Sequence, residues 1–179
     1  MNVNTKNIIR EYAESLLIAF ILAMIIRAFI VQAYKIPTGS MIPTLRVGDR
    51  ILVSKFIYKF REPKRGEIIV FKYPEDPSKA FIKRLIGFEQ EEVLIKNGRI
   101  FIDNNEVIDP KVAGRYYYNR GDYGEQEKPY HIPANSFFAL GDNSANSRDS
   151  RYWGPVPQKN LIGKAILIYW PISRIRLIE

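Results

Sequence analysis

The sequence predicts a mainly β protein: an antiparallel β-sheet domain preceded by one N-terminal membrane-spanning helix. Three observations carry this. Leu16 to Ile26 is an unbroken apolar run. Beyond residue 50, short stretches rich in Ile, Val and aromatics alternate with Gly, Pro, Asn and Asp. No convincing helical periodicity follows residue 34. The 179 residues suit one domain with a small insert. Apolar residues at 46% and aromatics at 13% are enough for a packed core.

Taken in order, Tyr12 to Val31 covers about 20 residues, the helical length that crosses about 30 Å of hydrocarbon. Residues 12–33 are therefore read as a transmembrane anchor, with Arg27 near enough to the interface to snorkel. A buried helix or a cleaved leader is the competing reading. No small-x-small site followed by a polar break comes after the run, which argues against cleavage. Lys6 and Arg10 precede the span, so residues 1–11 are expected in the cytoplasm and 34–179 outside it. Strands are expected over 51–60, 67–73, 81–88 and 93–102, the last folded into a hairpin by Asn97-Gly98, since both residues tolerate positive φ. Asn104-Asn105 repeats the device, giving a small meander. Residues 113–129 are polar, Tyr-rich and Gly-containing, and read as a mobile loop. The meander and this loop form an insert at about 89–133, and 137–140 and 161–170 are late strands.

Lys plus Arg is 27 against 19 Asp plus Glu, a net charge of +8 that favours anionic partners, lipid headgroups or nucleic acid. Cysteine is absent, which excludes disulfides, thiol catalysis and cysteine metal sites. His131 is the single histidine, so a His-rich zinc site is not expected and any Ser-His-Asp triad would have to use it. No metal and no cofactor is expected.

Three segments concentrate chemistry. In Ile36-Pro37-Thr38-Gly39-Ser40-Met41-Ile42-Pro43-Thr44-Leu45, two prolines fix a loop around a Gly-Ser step, presenting Ser40 just beyond the apolar span. In Ala80 to Gly87 (AFIKRLIG), strand alternation puts Lys83 on one face with Phe81 and Leu85. Desolvation there would favour the neutral amine, a usable general base. The third segment, Leu140 to Pro157, gathers carboxylates, amides, hydroxyls and guanidinium groups in one short loop. Taken singly, each has a plain structural reading: a turn serine, a snorkelling lysine, a self-satisfied loop.

Together and in this order, PTGSMIPTL, GDRILVSKF, RGEIIVFKYP to FIKRLIG, and GDNSANSRDSRYWGPVP resemble the bacterial type I signal peptidases. The resemblance covers most of the chain apart from Glu89 to Pro133. It implies a β-sheet serine endopeptidase that uses a Ser/Lys dyad to cut signal peptides from exported preproteins on the outer face of the plasma membrane. Carried over by position, Ser40 is the nucleophile and Lys83 the general base. The Thr38 hydroxyl and the Ser40 N–H form the oxyanion hole, with threonine where many members have serine. Ser147 orients the lysine amine, Asp149 and Arg151 shape the loop, and Asp142 is structural. Substrate would add a strand beside Ile36 and Ile82. Small side chains would enter shallow pockets walled by Ile36, Met41, Leu45 and Ile82, for all of which core packing is the competing reading. The implied partners are preprotein signal peptides, anionic lipid headgroups and nearby export machinery, not nucleic acid. Two departures stand out: the insert is short for the family, and Ser144 and Ala145 fill places often charged.

Three rivals, and an inactive relative, are weighed against this. A self-cleaving Ser/Lys repressor would cut before its serine and begin with a helix-turn-helix domain, whereas Ala113-Gly114 follows Lys83. A conventional triad through His131 lacks a GxSxG elbow. A membrane-tethered basic binder rests on Lys55, Lys59, Arg61, Lys64 and Arg65 interleaved with Phe56, Tyr58 and Phe60. The same run is expected to face anionic headgroups beside the active site.

Overall fold

The computed structural model describes residues 3–25 and 31–178. Helix α1 (Val3–Ile25) is followed by strands β1 (Val31–Lys35), β2 (Arg50–Ser54), β3 (Ile68–Lys72), β4 (Ala80–Gly87), β5 (Glu92–Lys96), β6 (Arg99–Ile102) and β7 (Asn105–Glu106). A short helix α2 (Pro110–Ala113) leads to β8 (Tyr130–His131) and β9 (Ser136–Leu140). Helix α3 (Ser150–Trp153), β10 (Val156–Pro157), β11 (Leu161–Trp170) and β12 (Arg176–Leu177) complete the chain.

Of the expected span over 12–33, residues 26–30 lie outside the described residues. Among the described residues no helix is long and apolar enough to cross a membrane. Arg10 and Glu14 pair one turn apart on the α1 surface, and with Glu11 they confine its apolar part to Leu16–Ile25. That is about 15 Å of helix, half the hydrocarbon thickness. The far end of the expected span is not helical: Val31 to Lys35 pair antiparallel with Ser54 to Arg50 as β1 on β2. Arg27 lies outside the described residues.

The main sheet runs β1-β2-β11-β3-β4-β9-β10, with β12 also on β11, and every pairing is antiparallel. A smaller sheet, β7-β6-β5-β8, occupies residues 92–131. Strand β3 reads Ile-Ile-Val-Phe because it is buried on both faces. Ile68 and Val70 join Ile36, Met41, Leu45, Ile51 and Val53 on one side, and Ile69 and Phe71 join Leu85, Phe137, Ala139 and Trp153 on the other. A third cluster, including Ile86, Phe138 and Leu140 from the main sheet and Val93, Ile95, Ile100 and Ile132 from the smaller one, fastens the two together.

Local differences have local causes. Asn97 and Gly98 take φ of 52° and 76° and close β5–β6. The next turn uses Asp103 and Asn104, at φ 49° and 65°, one residue earlier than expected, leaving Asn105 to pair in β7. The strand from 51 stops at Ser54, whose Oγ accepts the Ile57 N–H as the chain enters a short helical turn. The segment expected to be a mobile loop is strapped down. Tyr117 is buried and its N–H donates to Gly98 O, Asn119 Nδ2 donates to Ile95 O, and the Tyr118 N–H donates to Ser144 Oγ.

Candidate active site

The β1–β2 connection carries Ser40. Its base is closed by two hydrogen bonds, Ile36 N–H to Asp49 O at 2.8 Å and Gly48 N–H to Ile36 O at 2.9 Å. Inside it, Ile42 N–H to Gly39 O at 3.1 Å and Leu45 N–H to Met41 O at 2.9 Å wind the chain into turns. Ile36, Met41 and Leu45 anchor the underside in the core. From the other side, Asn143 grips the crest: its N–H donates to Ser40 O and its Nδ2 to Gly39 O, both at 3.0 Å. A loop held from both sides presents its serine in one orientation, the preorganisation a nucleophile needs.

Lys83 comes from β4, opposite Ile69 of β3. It is 4% exposed, yet its Nζ lies 2.7 Å from Ser40 Oγ and 5.7 Å from the Phe81 ring centre. Burial lowers the amine pKa from 10.5 to about 8; the Arg151 charge pushes the same way, and Asp149 and Asp142 oppose it. Ser40 and Lys83 open into a cleft of about 380 Å³ between residues 34–38 and 40–41 on one wall and 80–83 on the other. Thr38, Ile36, Met41 and Ile82 line it, and Asn146 and Arg148 stand at its rim. Leu45 does not line it: at 0% exposure it packs with Ile51, Val53 and Ile168 in the core.

Behind the dyad lies a network of buried charge. Arg84, the neighbour of Lys83, is 1% exposed and meets Asp142 through Nε–Oδ1 at 2.7 Å and Nη2–Oδ2 at 2.6 Å. Arg115 Nη2 lies 3.0 Å from Asp142 Oδ2, and Thr44 Oγ1 donates to the same carboxylate, tying it to the Ser40 loop. Asp149 takes Arg151 Nε and Nη2 at 2.8 Å each and the Gly141 N–H at 2.9 Å. Arg151 also reaches the carbonyls of Tyr118, Ser144 and Ser147 and the Ser144 hydroxyl. Ser144 thus acts as a neutral partner of Arg151. Paired in this way, the two buried guanidinium groups are tolerated where isolated charges would not be.

Ser147 is positioned differently from expectation. It is buried beside Gly141 and the Ser40 carbonyl, but its Oγ has no hydrogen-bond partner among the described residues, the Lys83 amine included. A Cβ at Gly141 would lie 2.6 Å from Ser40 O and would overlap Ser147 Oγ. Glycine is what lets the 141–147 loop approach the nucleophile so closely. His131 sits exposed on β8, paired with Glu92 of the smaller sheet and away from the cleft. In the basic run, Arg61 is neutralised by Glu67 at 2.5 Å and Arg65 by Glu91 at 2.5 Å, so these two are structural links rather than open charges.

Asn143, Arg84, Arg115 and Gly141 were not singled out from the sequence. Arg84 alone carried a signal: a charge inside an apolar strand beside Lys83 must find a partner if both faces are buried. The others depend on tertiary neighbours.

The family model described as signal peptidase, peptidase S26, matches residues 9–170. The signal peptidase I of Leptolyngbya laminosa is 41% identical over 172 residues, 92% of this chain and 81% of its own. The probable signal peptidase I-2 of a Synechocystis strain is 38% identical over 174 residues, 94% of this chain and 76% of its own. The signal peptidase I of Pseudomonas aeruginosa is 32% identical over 216 aligned positions, again 94% and 76%. With the motifs, the sheet and the Ser40–Lys83 pair in place, this breadth of similarity shows that the chain belongs to the signal peptidase family, peptidase S26.

Proposed function

We propose that this chain is a signal peptidase I that hydrolyses the bond after the signal peptide of exported preproteins, with Ser40 as nucleophile and Lys83 as general base. The observation that carries the reading is the 2.7 Å contact between the Ser40 hydroxyl and a buried lysine amine, opening into a cleft with apolar walls. Neutral Lys83 accepts the Ser40 proton as Oγ attacks the scissile carbonyl. The oxyanion is held by the Ser40 N–H and the Thr38 hydroxyl. The lysine ammonium then returns the proton to the leaving amine. Water, deprotonated by the same amine, releases the acyl-enzyme and regenerates Ser40. Asp142, Asp149 and Arg151 hold the loop that backs the dyad, and Ser147, on the same loop, orients the lysine amine.

The substrate lies extended in the cleft, its backbone adding to the strand edges at Ile36 and Ile82, with Ile36, Met41 and Ile82 limiting the pockets to small side chains. The N-terminal segment anchors the chain. What supports this is that the α1 apolar side chains, Leu16, Leu17, Ile18, Phe20, Ile21, Leu22 and Met24, are all exposed. The short N-terminus is cytoplasmic and the β domain extracytoplasmic, near anionic headgroups and the export machinery. Incubating detergent-solubilised protein with a preprotein bearing an Ala-x-Ala site, then sequencing the product N-terminus, tests the reaction. Cleavage after the second alanine, lost in Ser40→Ala, is expected. An intact preprotein, or unchanged cleavage by Ser40→Ala, would overturn it. Protease added outside spheroplasts should digest residues beyond Lys35, and protection of the β domain would reverse the topology.

A further inference from the structure

A second concavity of about 400 Å³ lies at the C-terminal end of the Ser40 loop, lined by Pro43, Thr44, Arg84, Lys111, Arg115, Arg176, Leu177 and Ile178. Four of its lining side chains are cationic, and among the described residues no carboxylate lines it. Asp142 lies behind the wall and is already shared by Arg84 and Arg115. Arg115 and Arg176 are held in place rather than loosely displayed. Arg115 is fixed by Asp142, by Thr44 Oγ1 at 3.1 Å and by the Lys111 carbonyl. Arg176 Nη2 donates to Thr44 O at 2.8 Å. Lys111 is brought to the rim by α2, whose first turn is capped by Asp109 accepting the Lys111 N–H at 2.8 Å. Among the described residues, Asp142 and the Asp109 that caps α2 stand against three guanidinium groups and an amine, which leaves the cleft net positive. Arg115 Nε is buried behind that wall without a hydrogen-bond partner among the described residues. Fixed, converging guanidinium groups with an adjacent amine are the donor set that recognises tetrahedral oxyanions.

We propose that this cleft is a binding site for a phosphate-type anion, a phosphate mono- or diester, held chiefly by Lys111, Arg176 and Arg115. The exposed Leu177 side chain on its wall gives an apolar neighbour for whatever carries the phosphate. The site is separate from the Ser40–Lys83 cleft and does not depend on the proteolytic reading, so Ser40→Ala should bind the anion as the parent does.

The test uses the full chain in non-ionic detergent and titrates three probes calorimetrically: inorganic phosphate, a short-chain phosphatidylglycerol, and short-chain phosphatidylcholine. Saturable binding is expected for phosphate, phosphatidylglycerol or both, and not for phosphatidylcholine alone. Comparable affinities for the first two would make the phosphate group sufficient. Binding of phosphatidylglycerol only would identify a lipid headgroup. Lys111→Gln should weaken binding about tenfold, the loss of one charge-assisted contact, and Lys111→Gln with Arg176→Gln should weaken it further. Lys96→Gln with Lys159→Gln, which removes exposed charge elsewhere, should leave it unchanged. Lys111 is exposed, and a thermal melt of Lys111→Gln matching that of the parent separates a binding defect from a folding defect. Absence of saturable binding by both anions, insensitivity to Lys111→Gln, or equal weakening by the Lys96/Lys159 variant would each overturn the proposal.

Discussion

The buried amine of Lys83 makes a quantitative demand on the pH profile. Its pKa is lowered from 10.5 to about 8, first by desolvation and then by Arg151. At pH 7 an ordinary lysine is neutral in about 0.03% of molecules, whereas one of pKa 8 is neutral in about 9%, a gain of about 300-fold in usable base. If Lys83 must be neutral to accept the Ser40 proton, kcat/KM should rise about tenfold per pH unit below pH 7 and level off above about 8.5. The stability linkage has the opposite benefit. A lysine whose pKa is depressed on folding binds fewer protons folded than unfolded, so the penalty is fully present below about pH 8. It disappears as pH climbs from about 8 to 10.5. The depression of about 2.5 units corresponds to roughly 3 kcal/mol, against about 1 kcal/mol for the Lys83–Ser40 hydrogen bond. Lys83→Met should therefore be inactive at every pH, yet at pH 7 more stable than the parent by about 1–3 kcal/mol, an advantage that shrinks toward pH 10. Initial rates on a preprotein between pH 6 and 10, paired with denaturant melts of both proteins, measure this. A rate profile flat from pH 6 to 9, or a methionine variant less stable than the parent at pH 7, would refute the reasoning.

Three further outcomes follow from the same geometry. If the Thr38 hydroxyl donates to the oxyanion, Thr38→Val should lower kcat by about 10²–10³-fold with little change in KM, and Thr38→Ser should retain most activity; steady-state kinetics of the pair decide it. Asn143→Ala removes the Nδ2 bond to Gly39 O but keeps the backbone bond to Ser40 O, so kcat should fall about tenfold while the melting temperature moves little, and full activity would remove Asn143 from the positioning of the loop. Asp142→Asn leaves Arg84 buried at 1% exposure beside a neutral amide, and chemical denaturation should register a loss of about 3–5 kcal/mol.

Much of the sheet could be read from local chemistry. Leu161 to Trp170 alternates and is punctuated by Pro157 and Pro171, and the strand occupies those residues. Asn97-Gly98 dictated a hairpin because few other pairs accept two positive φ values. The Ser40 and Lys83 segments stood out because a Pro-flanked Gly-Ser step and a lysine between apolar neighbours are unusual locally. What escaped was set at a distance. Leu45 looks like a pocket residue from its place in the loop, but the loop curls back and buries it against β2. The 113–129 segment looks mobile from composition, yet its order comes from carbonyls on β5 and the β5–β6 turn and from Ser144, which no local pattern reveals. Arg84 and Asp142, 58 positions apart, are a pair only once β4 and β9 are adjacent. Val31 to Ala33, apolar enough to read as the end of a helix, are strand because β2 supplies their hydrogen-bonding partners.

The strand order has a consequence for when this protein first becomes competent. Ser40 travels with the β1–β2 hairpin and Lys83 with β3–β4, but within the sheet these two hairpins are joined only through β11, residues 161–170. During synthesis the hairpins carrying Ser40 and Lys83 exist as separate pieces until β11 emerges and zips between them. Closing pairings such as Ser54 with Lys164 spans more than a hundred residues, an entropically costly and therefore slow contact to form. The 2.7 Å contact between Ser40 and Lys83 thus waits on residues 161–170, and a chain that stops short of them holds both side chains without their juxtaposition.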